Sequence, residues 1–115
     1  MNPSDQTFPF EIDVRSVQAL FDQGEKFLLL DCREPGENQL VKIGGSTHVP
    51  MREIPQRLAE LDLHKAGRVV VHCHHGGRSE RVAEFLRAQG FAGAQNMTGG
   101  IDAWAIEVEP GMTRY

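Results

Sequence analysis

Hydrophobic positions along this chain form two patterns: stripes with the period of a helix, and short continuous runs typical of buried strands. In residues 13–24, four apolar side chains fall on one helical face, with Asp13 placed to cap the start and Gly24 the end. A second stripe of helical period follows Ser79, which we expect at the helix N-cap, and stops before Gly90. Both segments are predicted to be amphipathic helices.

Short runs of consecutive apolar residues predict strands that are buried on both faces. The two strongest are residues 27–31, FLLLD, and residues 68–73, RVVVHC. Shorter strands are predicted at residues 47–50 and 94–97. Because strands and helices alternate, we expect an α/β fold with a parallel sheet and helices on both faces. Ligands of such sheets bind at the carboxyl ends of the strands, which is where Cys73 falls.

Three weaker segments complete the predicted order of elements. Apolar spacing predicts a helix over residues 52–61, with a proline near its start. Residues 34–39 read as a turn or a short helix, and GGIDAW at residues 99–104 begins a last helix. The chain shows no internal repeat or linker, so we expect one domain over residues 1–115 with its core at about 9–108.

Composition and charge narrow the classes of function. The chain has 115 residues, 40% of them hydrophobic, and a net charge of −4 without a basic run, which argues against nucleic-acid or membrane binding. Its apolar runs are too short to span a bilayer, and residues 1–10 lack the features of a secretion signal. Two cysteines, Cys32 and Cys73, do not form a disulfide framework, so we expect a reducing cytoplasm.

The segment VVVHCHHGGRSE, residues 69–80, carries the clearest chemistry. Cys73 lies between a strand end and a helix start, where free amides and the helix dipole favour an anion. Gly76 and Gly77 allow successive amides to point inward, and Arg78 adds a fixed positive charge. The pattern predicts a cysteine thiolate inside an anion-binding loop.

The same segment allows two other interpretations. A cysteine at a strand end is most often a small buried hydrophobic residue, although the adjacent glycines and arginine weaken that interpretation. A metal site could be built from His72, Cys73, His74 and His75. Adjacent residues do not easily point at one ion, however, and no second Cys/His cluster has suitable spacing. We therefore expect no metal.

Four ordered segments resemble the rhodanese (sulfurtransferase) superfamily. CHHGGRS is similar to that family's active-site loop, C-x-x-G-x-R-[ST]. The other three similar segments are LLLDCREPGE, IGGSTHVP and GGIDAW. The chain departs from the family pattern at Lys42, Gly44 and Ser46, where His, Pro and Ala are common. The resemblance implies a three-layer sandwich with a mostly parallel five-stranded sheet.

The resemblance also implies a set of site residues. Cys73 would be the catalytic nucleophile, and the residues implied to bind substrate are His74, His75, Gly76, Gly77, Arg78, Asp31 and Arg33. For the two histidines the implied contribution is their backbone N–H groups. Asp31 and Arg33 are more readily interpreted as an ion pair that braces adjacent segments than as catalytic groups. No metal or organic cofactor is implied.

The length of the loop separates the activities found in the resembling family. Cys73 and Arg78 are separated by four residues, C-x4-R. Members that transfer sulfur have this length, whereas related phosphatases and arsenate reductases have C-x5-R. The resemblance therefore implies transfer of sulfane sulfur from thiosulfate or a persulfide to a thiophilic acceptor, such as a thiol or a carrier protein. The alternatives are a sulfur-relay or redox-sensing module with little turnover and, disfavoured by the loop length, a phosphatase or arsenate reductase.

Three further residues are expected to have no catalytic role. Cys32 stands where a small apolar residue is usual, so we interpret it as core packing; a resolving partner for Cys73 is the minor alternative. Trp104 is expected to pack in the core or beneath the loop. Tyr115 was given no function.

Overall fold

Five strands and four α-helices alternate along residues 8–115, the part of the chain that this computed structural model describes. The strands are β1 (Glu11–Ile12), β2 (Leu28–Asp31), β3 (Ser46–His48), β4 (Arg68–His72) and β5 (Gly93–Met97). The α-helices are α1 (Val14–Asp22), α2 (Pro35–Leu40), α3 (Gly77–Ala88) and α4 (Gly100–Glu107). The prediction that the chain lacks a secretion signal falls largely on residues 1–7, which lie outside the described range.

The strands form one parallel sheet in the order β1-β5-β4-β2-β3. β4 and β2 are neighbours, with Val71 opposite Leu30. From β2 the chain goes outward to β3, and from β4 it goes outward on the other side to β5. The order in which strands are added to the sheet therefore reverses between β2 and β4. Ligands of open α/β sheets bind at the carboxyl ends of the strands next to such a switch point. Asp31 and Cys73 stand at those two ends.

Two hydrophobic cores lie on opposite faces of the sheet. Successive side chains alternate between them: Leu30 and Val71 lie in the core beneath α3, and Leu29 and Val70 lie in the core beneath α1 and α4. Burial on both faces accounts for the continuously apolar sequences of β2 and β4. The expected α/β sandwich with helices on both sides is confirmed. No helix within residues 8–115 is long and apolar enough to cross a membrane.

The ends of the first helix are as expected from the sequence. The Ser16 amide donates a hydrogen bond of 2.7 Å to Oδ1 of Asp13, which caps α1. After the helix, Gly24 adopts a φ of 68°, a left-handed conformation that glycine tolerates best. Gly90 does the same after α3, with a φ of 97°.

Two predictions about the elements need correction. The helix expected over residues 52–61 is wrong: this region forms two 3₁₀ helices, Met51–Glu53 and Leu58–His64, separated by a turn. Pro55 lies in that turn and lacks the N–H that a continuous α-helix requires. The sequence also did not locate β1, because a pair of residues is too short to show a period.

The contact between β5 and the segment before β4 requires a glycine. A Cβ on Gly93 would collide with the carbonyl oxygen of Gly67, whereas a Cβ on Gly36 in α2 would meet no atom within 4 Å. We expect Gly93→Ala to lower the free energy of unfolding by about 1–3 kcal/mol, as overpacking does. Gly36→Ala should be neutral or stabilising by up to about 1 kcal/mol. Urea denaturation measures both, and equal effects would contradict the close approach at Gly93.

Candidate active site

The cysteine loop, residues 73–78, follows the central strand β4 and includes the first two residues of α3. Gly76 lies at the N-cap of α3 with a φ of 116°, so the helix begins at Gly77. The expectation that Ser79 caps this helix is therefore wrong. The left-handed glycine turns the chain into the helix early, which leaves Ser79 inside the first turn and fully buried.

Ser79 instead faces the thiol of Cys73. Its amide and its hydroxyl each lie 3.4 Å from Sγ of Cys73, and the Gly76 amide lies 3.1 Å from the same atom. Only 1% of Cys73 is exposed, so these groups replace the water that would otherwise solvate the sulfur. The loop and the first turn of α3 thus point their donors at one sulfur atom.

These donors change the acidity of the thiol. Burial by itself would raise the pKa of Cys73, but the hydroxyl and amide of Ser79 hydrogen-bond to the sulfur and work in the opposite direction. The amides of Gly76 and Arg78 add to their effect, and the net result is a pKa below that of an ordinary cysteine. The thiolate is therefore more populated at neutral pH than in an unperturbed cysteine.

Asn96 is a further member of this cluster that sequence analysis missed. Its Oδ1 lies 2.6 Å from Oγ of Ser79, so it is a second acceptor, beside the Cys73 sulfur, for the one hydroxyl proton. The whole residue is buried near the end of β5. The same hydroxyl lies 3.2 Å from the Gly76 carbonyl oxygen. An asparagine in a short strand gives no sequence signal that it will meet a serine 17 residues earlier in the chain.

The start of α4 supports the cysteine loop through close backbone contacts. The Ile101 amide donates to the Cys73 carbonyl at 2.9 Å, and the Asp102 amide donates to the His74 carbonyl at 3.1 Å. A Cβ on Gly100 would collide with both of those carbonyl oxygens. The second glycine of GGIDAW is thus required by the approach of α4 to the loop.

Asp31 and Arg33 form a buried ion pair beside the loop. Two bonds join the guanidinium to the carboxylate, Nη2 to Oδ2 at 2.7 Å and Nε to Oδ1 at 2.8 Å, and neither side chain is exposed. Burial favours the neutral acid, but the hydrogen bonds from Arg33 and Asn38 and the charge of His72 together lower the pKa of Asp31. The bracing ion pair inferred from the sequence is present. Arg33 also donates to the carbonyls of Glu37 and Val41, which anchors α2.

Arg78 is held by a carboxylate that the sequence analysis did not single out. Its Nη1 and Nη2 bond to Oε1 and Oε2 of Glu37 at 2.7 and 2.9 Å. The Tyr115 hydroxyl donates to Oε2 of Glu37 at 2.7 Å and accepts from Arg33 at 3.1 Å. Hydrogen bonds from Arg78 are the main reason that the pKa of Glu37 falls to about 2. The pairing of Glu37 with Arg78 joins residues 41 positions apart, which no local pattern reveals.

The loop histidines stack rather than point at Cys73. The His74 ring stacks on the rings of His75 and Tyr115, with centroids 3.9 Å apart in both cases. Within residues 8–115, the group of His74, His75 and Asp102 brings three potential metal-ligand atoms within 4.8 Å of one another. Asp102 is already paired with Arg114 at 2.9 Å.

The other members of the disfavoured Cys/His metal set are placed differently. His72 is fully buried, and burial lowers its pKa to about 4, so the ring is neutral at physiological pH. Cys32 belongs to the core under α3 and is 1% exposed, as the packing interpretation expects. Burial, together with the charges of Cys73 and Asp31, raises the pKa of the Cys32 thiol.

Comparison with known proteins gives the family of this fold and site. A family model described as the rhodanese-like domain matches residues 13–107. The chain belongs to the rhodanese-like domain family. A relative named sulfurtransferase, from Allochromatium vinosum, is 37% identical over 95 residues, which cover 83% of this chain and 87% of that protein.

Larger proteins contain the same domain. A Zea mays protein named adenylyltransferase and sulfurtransferase MOCS3-2 is 36% identical over 109 residues, which cover 90% of this chain but only 23% of that protein. Among solved structures, a rhodanese-like domain protein from Staphylococcus aureus superposes with a TM-score of 0.78 at 25% identity. That match covers 93% of this chain and 99% of the other. The rhodanese-like fold implied by the four sequence segments is confirmed.

The lowered pKa of Cys73 predicts a shifted pH profile of alkylation. The rate of reaction with iodoacetamide should rise with pH and reach half its plateau at a lower pH than for an unperturbed cysteine. Because the Ser79 hydroxyl stabilises the thiolate, Ser79→Ala should move the midpoint upward and slow the reaction severalfold below it. Unchanged midpoints in folded protein, checked by circular dichroism, would contradict the role of the hydroxyl.

The two cysteines should differ in reactivity although both are buried. We expect iodoacetamide to label Cys73 at least about tenfold faster than Cys32 at pH 7, since one thiol has a lowered pKa and the other a raised one. Peptide mass spectrometry of briefly labelled native protein measures the ratio. Equal labelling would contradict the assignment of Cys32 to the core and reopen its role as a resolving thiol.

Proposed function

We propose that this rhodanese-like domain is a sulfurtransferase that works through a persulfide on Cys73. The observation that carries the proposal is the cluster of donors from Gly76 and Ser79 on the Cys73 sulfur, with the lowered pKa that results. A buried thiolate surrounded by backbone amides is a suitable nucleophile and a suitable holder of a second sulfur. The relative named sulfurtransferase supports the same reading.

The reaction proceeds in two displacements. The Cys73 thiolate attacks the outer sulfur of thiosulfate or of a persulfide, a sulfur–sulfur bond forms on Cys73, and the old sulfur–sulfur bond breaks. Its electron pair leaves with sulfite or with a thiolate. An acceptor thiolate, or cyanide in an assay, then attacks the outer sulfur and releases Cys73. Neither displacement requires a metal or an external oxidant.

The remaining site residues are assigned supporting parts in this mechanism. We assign the backbone amides of His74, His75, Gly76, Gly77 and Arg78 to holding the transferred sulfur. Asp31 and Arg33 are fully buried, so we assign them to positioning α2 rather than to substrate contact. Physiological acceptors are proposed to be a small thiol or a sulfur-carrier protein. Both cysteines are free thiols, which fits the proposed reducing cytoplasm.

Intact-mass spectrometry tests this mechanism. Wild-type protein incubated with thiosulfate or glutathione persulfide should gain the mass of one sulfur and lose it again when cyanide or a thiol is added. Cys73→Ala should show no gain and lower the transfer rate at least about 10³-fold, because the nucleophile is gone. Cys32→Ala is the matched control and should still load.

Three outcomes separate the alternatives. Full transfer activity in Cys73→Ala would overturn the mechanism. Loading of Cys73 without steady-state turnover would favour the sulfur-relay or redox-sensing module. Hydrolysis of an aryl phosphate that depends on Cys73 would instead favour a phosphatase.

A further inference from the structure

The charge of Arg78 is neutralised at the mouth of the cysteine loop. Both terminal nitrogens of Arg78 bond to the Glu37 carboxylate, and the two side chains are only 33% and 20% exposed. Arg78 is the first positively charged residue after Cys73 in the sequence and belongs to the cysteine loop. An anion that enters the loop therefore meets an arginine whose charge is already compensated.

Glu37 is held too firmly to swing away from this position. Its carboxylate accepts hydrogen bonds from the Glu34 amide at 3.0 Å and from the Tyr115 hydroxyl at 2.7 Å, in addition to the two from Arg78. The pKa of Glu37, about 2, keeps the group ionised throughout the physiological range. The negative charge is therefore a permanent feature of the site.

The neighbouring arginines are compensated in the same way. Arg33 is paired with Asp31 at 2.7 Å. Arg114 is paired with Asp102 at 2.9 Å. With these three guanidiniums paired, the loop amides are the donors that we expect to attract an incoming sulfur donor. Amide dipoles can hold one sulfur atom, but they compensate a dianion less well than a free guanidinium would.

Resting on the proposed function, we propose that Glu37 is a specificity-determining residue that selects persulfides of thiols over dianionic donors such as thiosulfate. With a protonated persulfide, R–S–SH, the Cys73 thiolate attacks the outer sulfur and the R–S bond to that sulfur breaks. The products are Cys73–S–SH and the thiolate R–S⁻, so atoms, electrons and charge balance without a further reactant. In this protonated form the donor's reacting end carries no charge and needs no cation, whereas thiosulfate brings two negative charges that Arg78, already paired with Glu37, does not compensate.

Glu37→Gln tests the charge without greatly changing the shape. In wild-type protein, kcat/KM for glutathione persulfide should exceed that for thiosulfate by at least about tenfold. Glu37→Gln should reduce that ratio about tenfold, mainly through a lower KM for thiosulfate, because Arg78 is then free to attract the dianion. An unchanged ratio, or an equal loss with both donors, would overturn the proposal.

Two controls isolate the charge. Glu60→Gln removes a carboxylate from another arginine pair, with Arg57 at 2.9 Å on an exposed surface, and should leave the ratio unchanged. Tyr115→Phe removes one hydrogen bond from the Glu37 carboxylate but no charge, and should also leave the ratio unchanged. A shift in Tyr115→Phe as large as in Glu37→Gln would overturn the electrostatic explanation.

A binding measurement makes the test independent of turnover. Calorimetry of thiosulfate with Cys73→Ser protein should show about tenfold weaker binding than with Cys73→Ser/Glu37→Gln protein. Equal affinities would overturn the role of Glu37 even if Cys73 forms a persulfide. A tenfold difference in affinity would support the role of Glu37 in donor selection, whatever mass spectrometry shows. The absence of sulfur on wild-type Cys73 would count only against the proposed persulfide mechanism.

Discussion

The organisation of the site depends on the buried ion pair between Arg33 and Asp31. Asp31 ends β2 beside the central strand, and its carboxylate fixes the guanidinium of Arg33. Arg33 then binds the carbonyls of Glu37 and Val41 and the hydroxyl of Tyr115, so one cation positions α2 and the last residue of the chain. Removal of one partner would leave an uncompensated buried charge, which typically costs about 3–5 kcal/mol. The sheet therefore fixes the position of Glu37 through Asp31 and Arg33.

Two kinds of electrostatic interaction act on the cysteine loop, and they are supplied by different groups. Backbone amides and the Ser79 hydroxyl stabilise negative charge on the Cys73 sulfur at distances of 3.1–3.4 Å. The side chain of Arg78, by contrast, is directed to Glu37. The short-range dipoles act on the Cys73 sulfur itself, while the ion pair keeps the mouth of the loop close to neutral. The stability of the thiolate and the proposed selection of donors can therefore change independently of each other.

The hydrophobic pattern and the resemblance to the rhodanese superfamily predicted most of the fold. They did not predict side-chain contacts between residues far apart in the sequence. The apolar runs of β2 and β4 and the cap at Asp13 follow from near-neighbour chemistry, so the sequence shows them directly. Ser79 was recognised as part of the motif, but its hydroxyl was assigned to a helix cap because the left-handed turn at Gly76 could not be foreseen. Tyr115 was missed because its contacts with Glu37 and His74 depend on where the chain returns after α4.

The two cysteines show how this fold sets the pKa of a buried thiol. Cys32 and Cys73 follow the ends of adjacent parallel strands, and each is only 1% exposed. Exposure therefore does not distinguish them. The Cys32 side chain lies among apolar residues of the core, where its negative form would be poorly solvated. Cys73 is equally removed from water, but a glycine-rich turn and a helix start supply donors in its place. Backbone conformation after β4, rather than access to solvent, lowers the pKa of the Cys73 thiol.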